Sequence, residues 1–280
     1  MTDTTNTQTI DRLSQATQDF RAWVKGYSGF QGGDSGEKCI WSCGIEYGGA
    51  EKLADLKKAS KDIPSEIPNQ NVAQCMAAMK YGYNRKLWKI LKGTLGISQG
   101  GLFGEGSGFA KLNLFPLNFP TDKCSLIDET LVDFTGFITK AEYRAWCVEH
   151  RFPEIHKLCV DKNPKVVVGT STGHLLNFVL AFSGRDKIHS KINTLSSSQR
   201  YFPNTDPAKR KKYIYHLKIN ETEGNDTLLI VVPFLGGASG LNADKELEQL
   251  GAVIEEYCDP KKTSGNFEEI LKRHHFEKKP

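Results

Sequence analysis

A single carboxylate closes one of the most apolar short runs of the chain. Ile40-Trp41-Ser42-Cys43 leads into Gly44-Ile45-Glu46-Tyr47-Gly48-Gly49. A carboxylate fixed at such a turn can stabilise a developing cation, orient a water molecule or take its proton. A second group is Asn113, in Leu112-Asn113-Leu114-Phe115. Its amide both donates and accepts, which suits reading the edge of a planar heterocycle. The third is Gly236-Gly237-Ala238-Ser239-Gly240-Leu241-Asn242, where small side chains let backbone N–H groups approach an anion. Each has a plainer alternative. Glu46 serves equally as a turn charge drawn to a helix start, Asn113 as a strand-edge residue bonded to backbone, and the glycine stretch as a tight strand-to-helix turn.

The elements that must position these residues can be read from hydrophobic period. The run from Ile40 up to the Gly44 turn, Lys111–Phe119, Lys165–Gly169 and Leu228–Val232 read as buried strands. Lys212–Asn220 alternates and suits an antiparallel or edge strand. Ile10–Lys25 carries a helical stripe of Leu13, Ala16, Phe20 and Val24. Asn71 caps a helix running toward Leu91. Thr139 and Glu142 form a capping box that opens a helix through Val148, and Pro153 starts another to about Val160. Further helices are expected over Thr172–Phe182, Ala243–Tyr257 and Asn266–His275. Strands alternating with helices give an α/β class, expected as three layers, α/β/α, around a central, mainly parallel four-stranded sheet. Residues 1–9 are polar and read as a disordered N-terminus, and residues 10–280 as a single domain. Sheets of this kind bind ligands beyond the C-terminal ends of their strands, where Glu46 and the 236–242 stretch fall.

Composition narrows the class. With 39% hydrophobic and 25% charged residues the chain is ordinary for a globular protein. A net charge of +4 suits a polyanionic partner without requiring one. No apolar run reaches the roughly 18–20 residues that span a bilayer, and Met1–Ile10 lacks an apolar signal core, so the expectation is a cytoplasmic protein without a membrane partner. Seven cysteines without a CxxC pair read as reduced thiols, with no metal and no cofactor. Gly104-x-Gly106-x-Gly108 lacks the Lys-Ser/Thr of a phosphate loop and reads as a surface loop.

Taken in order, these segments resemble the uracil-DNA glycosylase superfamily. The resemblance rests on Gly44-Ile45-Glu46-Tyr47-Gly48, Leu112-Asn113-Leu114-Phe115, Asn163-Pro164-Lys165-Val166-Val167-Val168-Gly169 and Ala238-Ser239-Gly240-Leu241-Asn242, and spans about residues 38 to 257. It implies a monofunctional DNA glycosylase acting as a monomer. Water, rather than a lysine amine, would attack C1′ of a nucleotide flipped out of the helix. Glu46 would be the catalytic carboxylate. Gly44, Ile45, Tyr47, Gly48, Asn113 and Phe115 would surround the base, with Tyr47, Phe103, Phe109 and Phe115 as stacking candidates. Gly237, Ser239, Gly240, Leu241 and Asn242 would engage DNA, Leu241 as a wedge in the base stack.

Two departures shape the expected substrate. Gly48 stands where the uracil-specific branch has a tyrosine that excludes 5-substituted bases, and Gly237 stands where the family has His or Asn. Both open the pocket, which points to a C5-substituted pyrimidine such as the hypermodified bases of phage DNA, and so to a part in antiviral defence. His174 is a candidate for the missing imidazole. Two alternatives stay open: a catalytically inactive nucleic-acid-binding module of the same fold, and a Rossmann-like enzyme acting on nucleotides.

Overall fold

The computed structural model of the chain describes residues 16–25, 30–32, 39–46, 54–55, 57–58, 70–119, 127, 129–203, 212–222, 225–237, 239–259, 261 and 266–278. In chain order its elements are α1 (Gln18–Lys25), β1 (Gln31–Gly32), β2 (Ile40–Gly44), α2 (Val72–Ala78), α3 (Gly82–Leu95), β3 (Phe109–Asn113), α4 (Glu129–Thr135), α5 (Lys140–Lys162), β4 (Val166–Thr170), α6 (Leu175–Ser183), α7 (Ile188–Leu195), β5 (Gln199–Tyr201), β6 (Tyr213–Thr222), β7 (Asn225–Val232), α8 (Asp244–Cys258), α9 (Phe267–Arg273) and β8 (Glu277–Lys278). Short 3₁₀ turns occupy Gln99–Gly101 and Thr172–His174. Residues 1–9, expected to be disordered, lie outside the described residues. Among the described residues no helix is long and apolar enough to cross a membrane.

The α/β class holds, but the sheet is larger and more mixed than the expected four mainly parallel strands. Eight strands run in the order β1-β3-β2-β4-β7-β6-β5-β8. Pairing is parallel from β3 through β2 and β4 to β7. It is antiparallel for β1 on β3 and for β7–β6, β6–β5 and β5–β8. The four parallel strands are the four apolar runs expected, with shifted ends. The additions β1, β5 and β8 are two or three residues long, too short to carry a period of two. The alternating segment from residue 212 forms β6, antiparallel to β7 as its pattern required.

Side-chain alternation divides the core between the two faces of the sheet. Trp41, Cys43, Val167, Leu229 and Val231 pack on the side of α1, α4, α5 and α6. Ile40, Val166, Val168, Leu228, Ile230 and Val232 pack on the side of α2, α3, α8 and α9. Parallel strands covered by helices on both faces bury every side chain, which is why these runs look continuously apolar rather than alternating.

Two helices differ from expectation. The segments 139–148 and 153–160 form one helix, α5, with Pro153 inside it. An interior proline costs on the order of 3 kcal/mol. Here Phe152 and Ile155, each 1% exposed, anchor both sides of it in the core. The expected Thr139–Glu142 capping box does open α5. Conversely, the helix expected from Asn71 toward Leu91 breaks after Ala78. Asn84 Nδ2 donates to Ala78 O at 2.8 Å, and Arg85 Nη1 donates to Met79 O at 3.1 Å and Lys80 O at 2.6 Å. These side chains satisfy carbonyls that the broken helix leaves open. The break places Tyr81, Gly82 and Tyr83 over the C-terminal ends of β2 and β3.

Candidate active site

A cleft of about 740 Å³ opens at those strand ends. Its lining includes Gly44 and Glu46 beyond β2, Lys111 and Asn113 on β3, Tyr83 on α3, and Phe234 after β7. Four remote parts of the chain meet there because β3, β2, β4 and β7 run parallel and α3 crosses above their ends.

Glu46 is buried, with its side chain 7% exposed. Its Oε2 lies 2.8 Å from Lys140 Nζ, and its Oε1 accepts from Arg144 Nε at 2.9 Å and from Arg144 Nη2. Lys140 and Arg144 stand one turn apart at the start of α5, so both reach the same carboxylate. The helix N-terminus also favours an anion there. Each cation rests on a ring as well. Lys140 Nζ is 4.3 Å from the centroid of Phe119, and Arg144 lies 5.1 Å from that of Phe115. The carboxylate is thereby fixed in orientation.

Asn113 ends β3 and is 2% exposed. Arg151, itself buried, donates from Nη2 to Asn113 O at 3.1 Å, from Nε to Leu114 O at 3.1 Å, and from Nη1 to Val24 O at 3.0 Å. The backbone of Asn113 is therefore rigid, but its side-chain Nδ2 is buried with no hydrogen-bond partner among the described residues. Such a donor costs about 1–3 kcal/mol unless a ligand or water accepts from it. Gly44 pairs with Asn113 in register. A Cβ at position 44 would lie 2.3 Å from Asn113 Oδ1, so only glycine leaves room for this amide.

The far wall is aromatic. Tyr83 Oη sits 2.8 Å from Thr170 Oγ1 and 3.4 Å from Ser42 Oγ, which pins the ring. Burial pushes its hydroxyl pKa up to about 12. The Phe234 ring lies 6.0 Å from that of Tyr83 and is half exposed. Lys111 points into the same space from the face of β3 that carries Asn113. Its Nζ donates to Asn84 Oδ1 at 3.1 Å and lies 5.0 Å from the Tyr83 centroid. Burial pulls its pKa down to about 8.

No family model matches this chain, and no curated protein sequence matches it.

Of the residues singled out in the sequence, Gly44, Glu46 and Asn113 meet in the cleft. Tyr47, Gly48 and Ala238 lie outside the described residues. Ile45 packs against the core on the α5 side of the sheet. Phe115 does not line the cleft either. It is 1% exposed and packs on Tyr143 and Phe152 beneath Arg144. Phe103 and Phe109 are fully buried against each other. His174 Nδ1 lies 3.0 Å from Asn177 Nδ2 and is not part of the cleft lining.

The 236–242 stretch is a closed turn. Gly240 N–H donates to Gly237 O and Leu241 N–H to Phe234 O, so these two amides are already used within it. Leu241 is fully buried in the core, which corrects the reading of it as a wedge. The exposed apolar residue of this loop is Phe234. A Cβ at Gly240 would lie 1.9 Å from Gly236 O, so the turn requires glycine there. Gly237 has φ +67° and is exposed, as are Ser239 and Asn242. Lys86 on α3 fastens the loop by donating to Asn242 Oδ1 at 2.6 Å and Leu235 O at 3.2 Å.

Lys111, Tyr83, Phe234 and the Lys140–Arg144 pair were missed in the sequence. Lys111 did leave a signal, as the one charge inside the apolar run from Phe109 to Phe115. Among the described residues no cluster of His, Cys, Asp and Glu is arranged to hold a metal. Burial pushes the Cys147 thiol up to about 12 and Cys43 higher still, which makes both poor nucleophiles.

Proposed function

We propose that this protein is a DNA glycosylase that hydrolyses the N-glycosidic bond of a flipped, C5-substituted pyrimidine and leaves an abasic site. The observation that supports it is that Glu46 and the unpartnered Asn113 amide line one cleft at the ends of adjacent parallel strands. The base enters between α3 and the 233–242 loop, with Asn113 on its polar edge and the Tyr83 and Phe234 rings as apolar surface. The sugar then lies at the cleft mouth by Glu46. As the C1′–N bond lengthens, charge develops on the sugar. A carboxylate already fixed by Lys140 and Arg144 stabilises that charge without reorganising, and orients the attacking water. The enzyme works as a monomer without a cofactor, and release of hypermodified bases would serve defence against phage DNA.

The test is incubation with matched oligonucleotides carrying uracil, 5-hydroxymethyl or glycosylated pyrimidines, followed by alkaline cleavage at abasic sites. Release is expected to be fastest for a bulky 5-substituted base. Fastest release of plain uracil would overturn the substrate assignment, and no release from any of them the activity.

One observation favours a second reading. Lys140 and Arg144 already occupy both oxygens of the Glu46 carboxylate, which leaves it less room to hold a water molecule. A catalytically inactive module would bind the same oligonucleotides and leave them intact.

A further inference from the structure

We propose that the groove between α5 and the end of α6 is a second binding site, which takes a small, neutral aromatic ligand carrying a hydroxyl group, a simple phenol in chemical class. It shares no lining residue with the cleft and stands independently of the glycosylase reading.

The sequence of α6 is apolar almost throughout, and Ser183 closes it. The helix follows the C-terminal end of β4 and runs back along the sheet, so Ser183 lies toward the strand ends opposite Glu46. There it meets the middle of α5, where Pro153 has no N–H to give the carbonyl of Glu149 one turn earlier. A cavity of about 330 Å³ stays open between the two helices. That is the small end of the range for ligand sites, which are mostly apolar with a few placed polar groups. Val148, Phe152, Pro153 and Leu180 supply the apolar wall.

Two polar groups line the same cavity. His156 Nδ1 is 2.9 Å from Phe182 O. A carbonyl only accepts, so Nδ1 carries the proton, and in the neutral ring Nε2 is left as an acceptor. Gly184, at φ +79°, makes room for this ring, since a Cβ there would lie 2.9 Å from His156 Nε2 and Cδ2. The second group is Ser183. It is 1% exposed, and its Oγ is buried with no hydrogen-bond partner among the described residues. A buried hydroxyl in that state is unfavourable until a ligand or water meets it.

The charges of the cavity stand at its mouth. Arg185, Asp186 and Lys187 are exposed, and Arg185 is paired with Glu149. Two cations and two anions cancel there, so the mouth selects neither sign and a neutral ligand is favoured. Inside, the ligand must offer a donor to Nε2 and an acceptor to the Ser183 hydroxyl. A single hydroxyl does both, with its ring against Phe152 and Leu180. No bond is made or broken in the ligand.

The test is calorimetric titration of the full chain with phenol and with toluene, which has a methyl group in place of the hydroxyl. Wild type is expected to bind phenol with Kd below about 1 mM, and toluene at least about tenfold more weakly. Ser183→Ala should weaken phenol at least about fivefold and leave toluene within about twofold, without lowering the Tm of the free protein, because the unanswered hydroxyl is gone. His156→Phe keeps an aromatic ring beside Gly184 and should also remove the preference for phenol. No saturable binding of phenol up to about 10 mM overturns the proposal. So does equal affinity for phenol and toluene in wild type, or a phenol preference that persists in both folded variants, which would place the ligand elsewhere.

Discussion

Replacing Glu46 by Gln takes one negative charge from between two cations and leaves side-chain volume almost unchanged. The side chains of Glu46 and Lys140 are 7% and 5% exposed, and that of Arg144 is 28% exposed. Breaking a buried ion pair from one side costs about 3–5 kcal/mol, because the remaining charge stays desolvated. Arg144 keeps partial contact with water and Lys140 keeps the Phe119 ring, so the lower end applies, about 3 kcal/mol. For a chain of this size that lowers Tm by about 6–12 °C. Base release should fall about a hundredfold or more. The assay must separate these losses, so calorimetry is paired with single-turnover base release well below the lowered Tm, and with binding measured by fluorescence anisotropy. A second variant, Glu46→Gln with Lys140→Met, removes the stranded ammonium and should regain at least about half of the lost stability with no gain in activity. A Tm within about 1 °C of wild type would refute the buried ion triad. Wild-type base release in the folded Gln variant would refute its part in the chemistry.

Other consequences can be checked separately. Lys111 has a folded pKa of about 8 against 10.5 for an exposed lysine, so between those values the unfolded chain binds more protons at this site. Wild type should therefore gain stability over Lys111→Met as pH rises through that window, by about 3 kcal/mol in all, and show a constant difference below about pH 7; urea titrations across pH measure it, and a flat difference would contradict the buried ammonium. Gly44→Ala should push the Asn113 amide aside and cut base release at least about tenfold while costing under about 2 kcal/mol of stability, read by kinetics and denaturation together. Leu241→Ala should cost about 2–5 kcal/mol of stability as a core truncation, whereas Phe234→Ala should leave stability within about 1 kcal/mol and weaken oligonucleotide binding.

The four parallel strands were legible because strands buried on both faces leave unbroken apolar runs, as in Val166–Val168. The short strands β1, β5 and β8 were not, since two or three residues carry no period and their pairing depends on what already stands beside them. The stretch after Asn113 was read as strand because it is apolar. It is buried, but under α5 rather than in the sheet, and apolarity alone cannot tell these apart. Pro153 was read as a helix start, where a proline fits most easily, yet packing of its neighbours carries α5 through it. Glu46 and Asn113 could be picked out because each interrupts an apolar run at the point where a strand ends. Tyr83 and Phe234 gave no such sign, since what makes them part of the cleft is the break between α2 and α3 and the fastening of the loop by Lys86. Leu241 misled for a related reason. In a loop of small polar residues an apolar side chain looks like a surface wedge, whereas here it is the anchor that holds the loop down.

The central place of β2 bears on how the chain reaches this state. Ile40 pairs with Phe109 on one side and with Val166 on the other. During vectorial synthesis β2 is made long before either neighbour, and Glu46 before the Lys140 and Arg144 that compensate it. Until residue 170 has emerged, β2 presents an unpaired hydrogen-bonding edge on an apolar segment, a template for misassociation between nascent chains. Its pairings are also distant in sequence, so loop-closure entropy must be overcome before any of them is rewarded, and folding of the sheet is slow. Expression yield should accordingly respond more to chaperone supply and growth temperature than native-state stability would indicate.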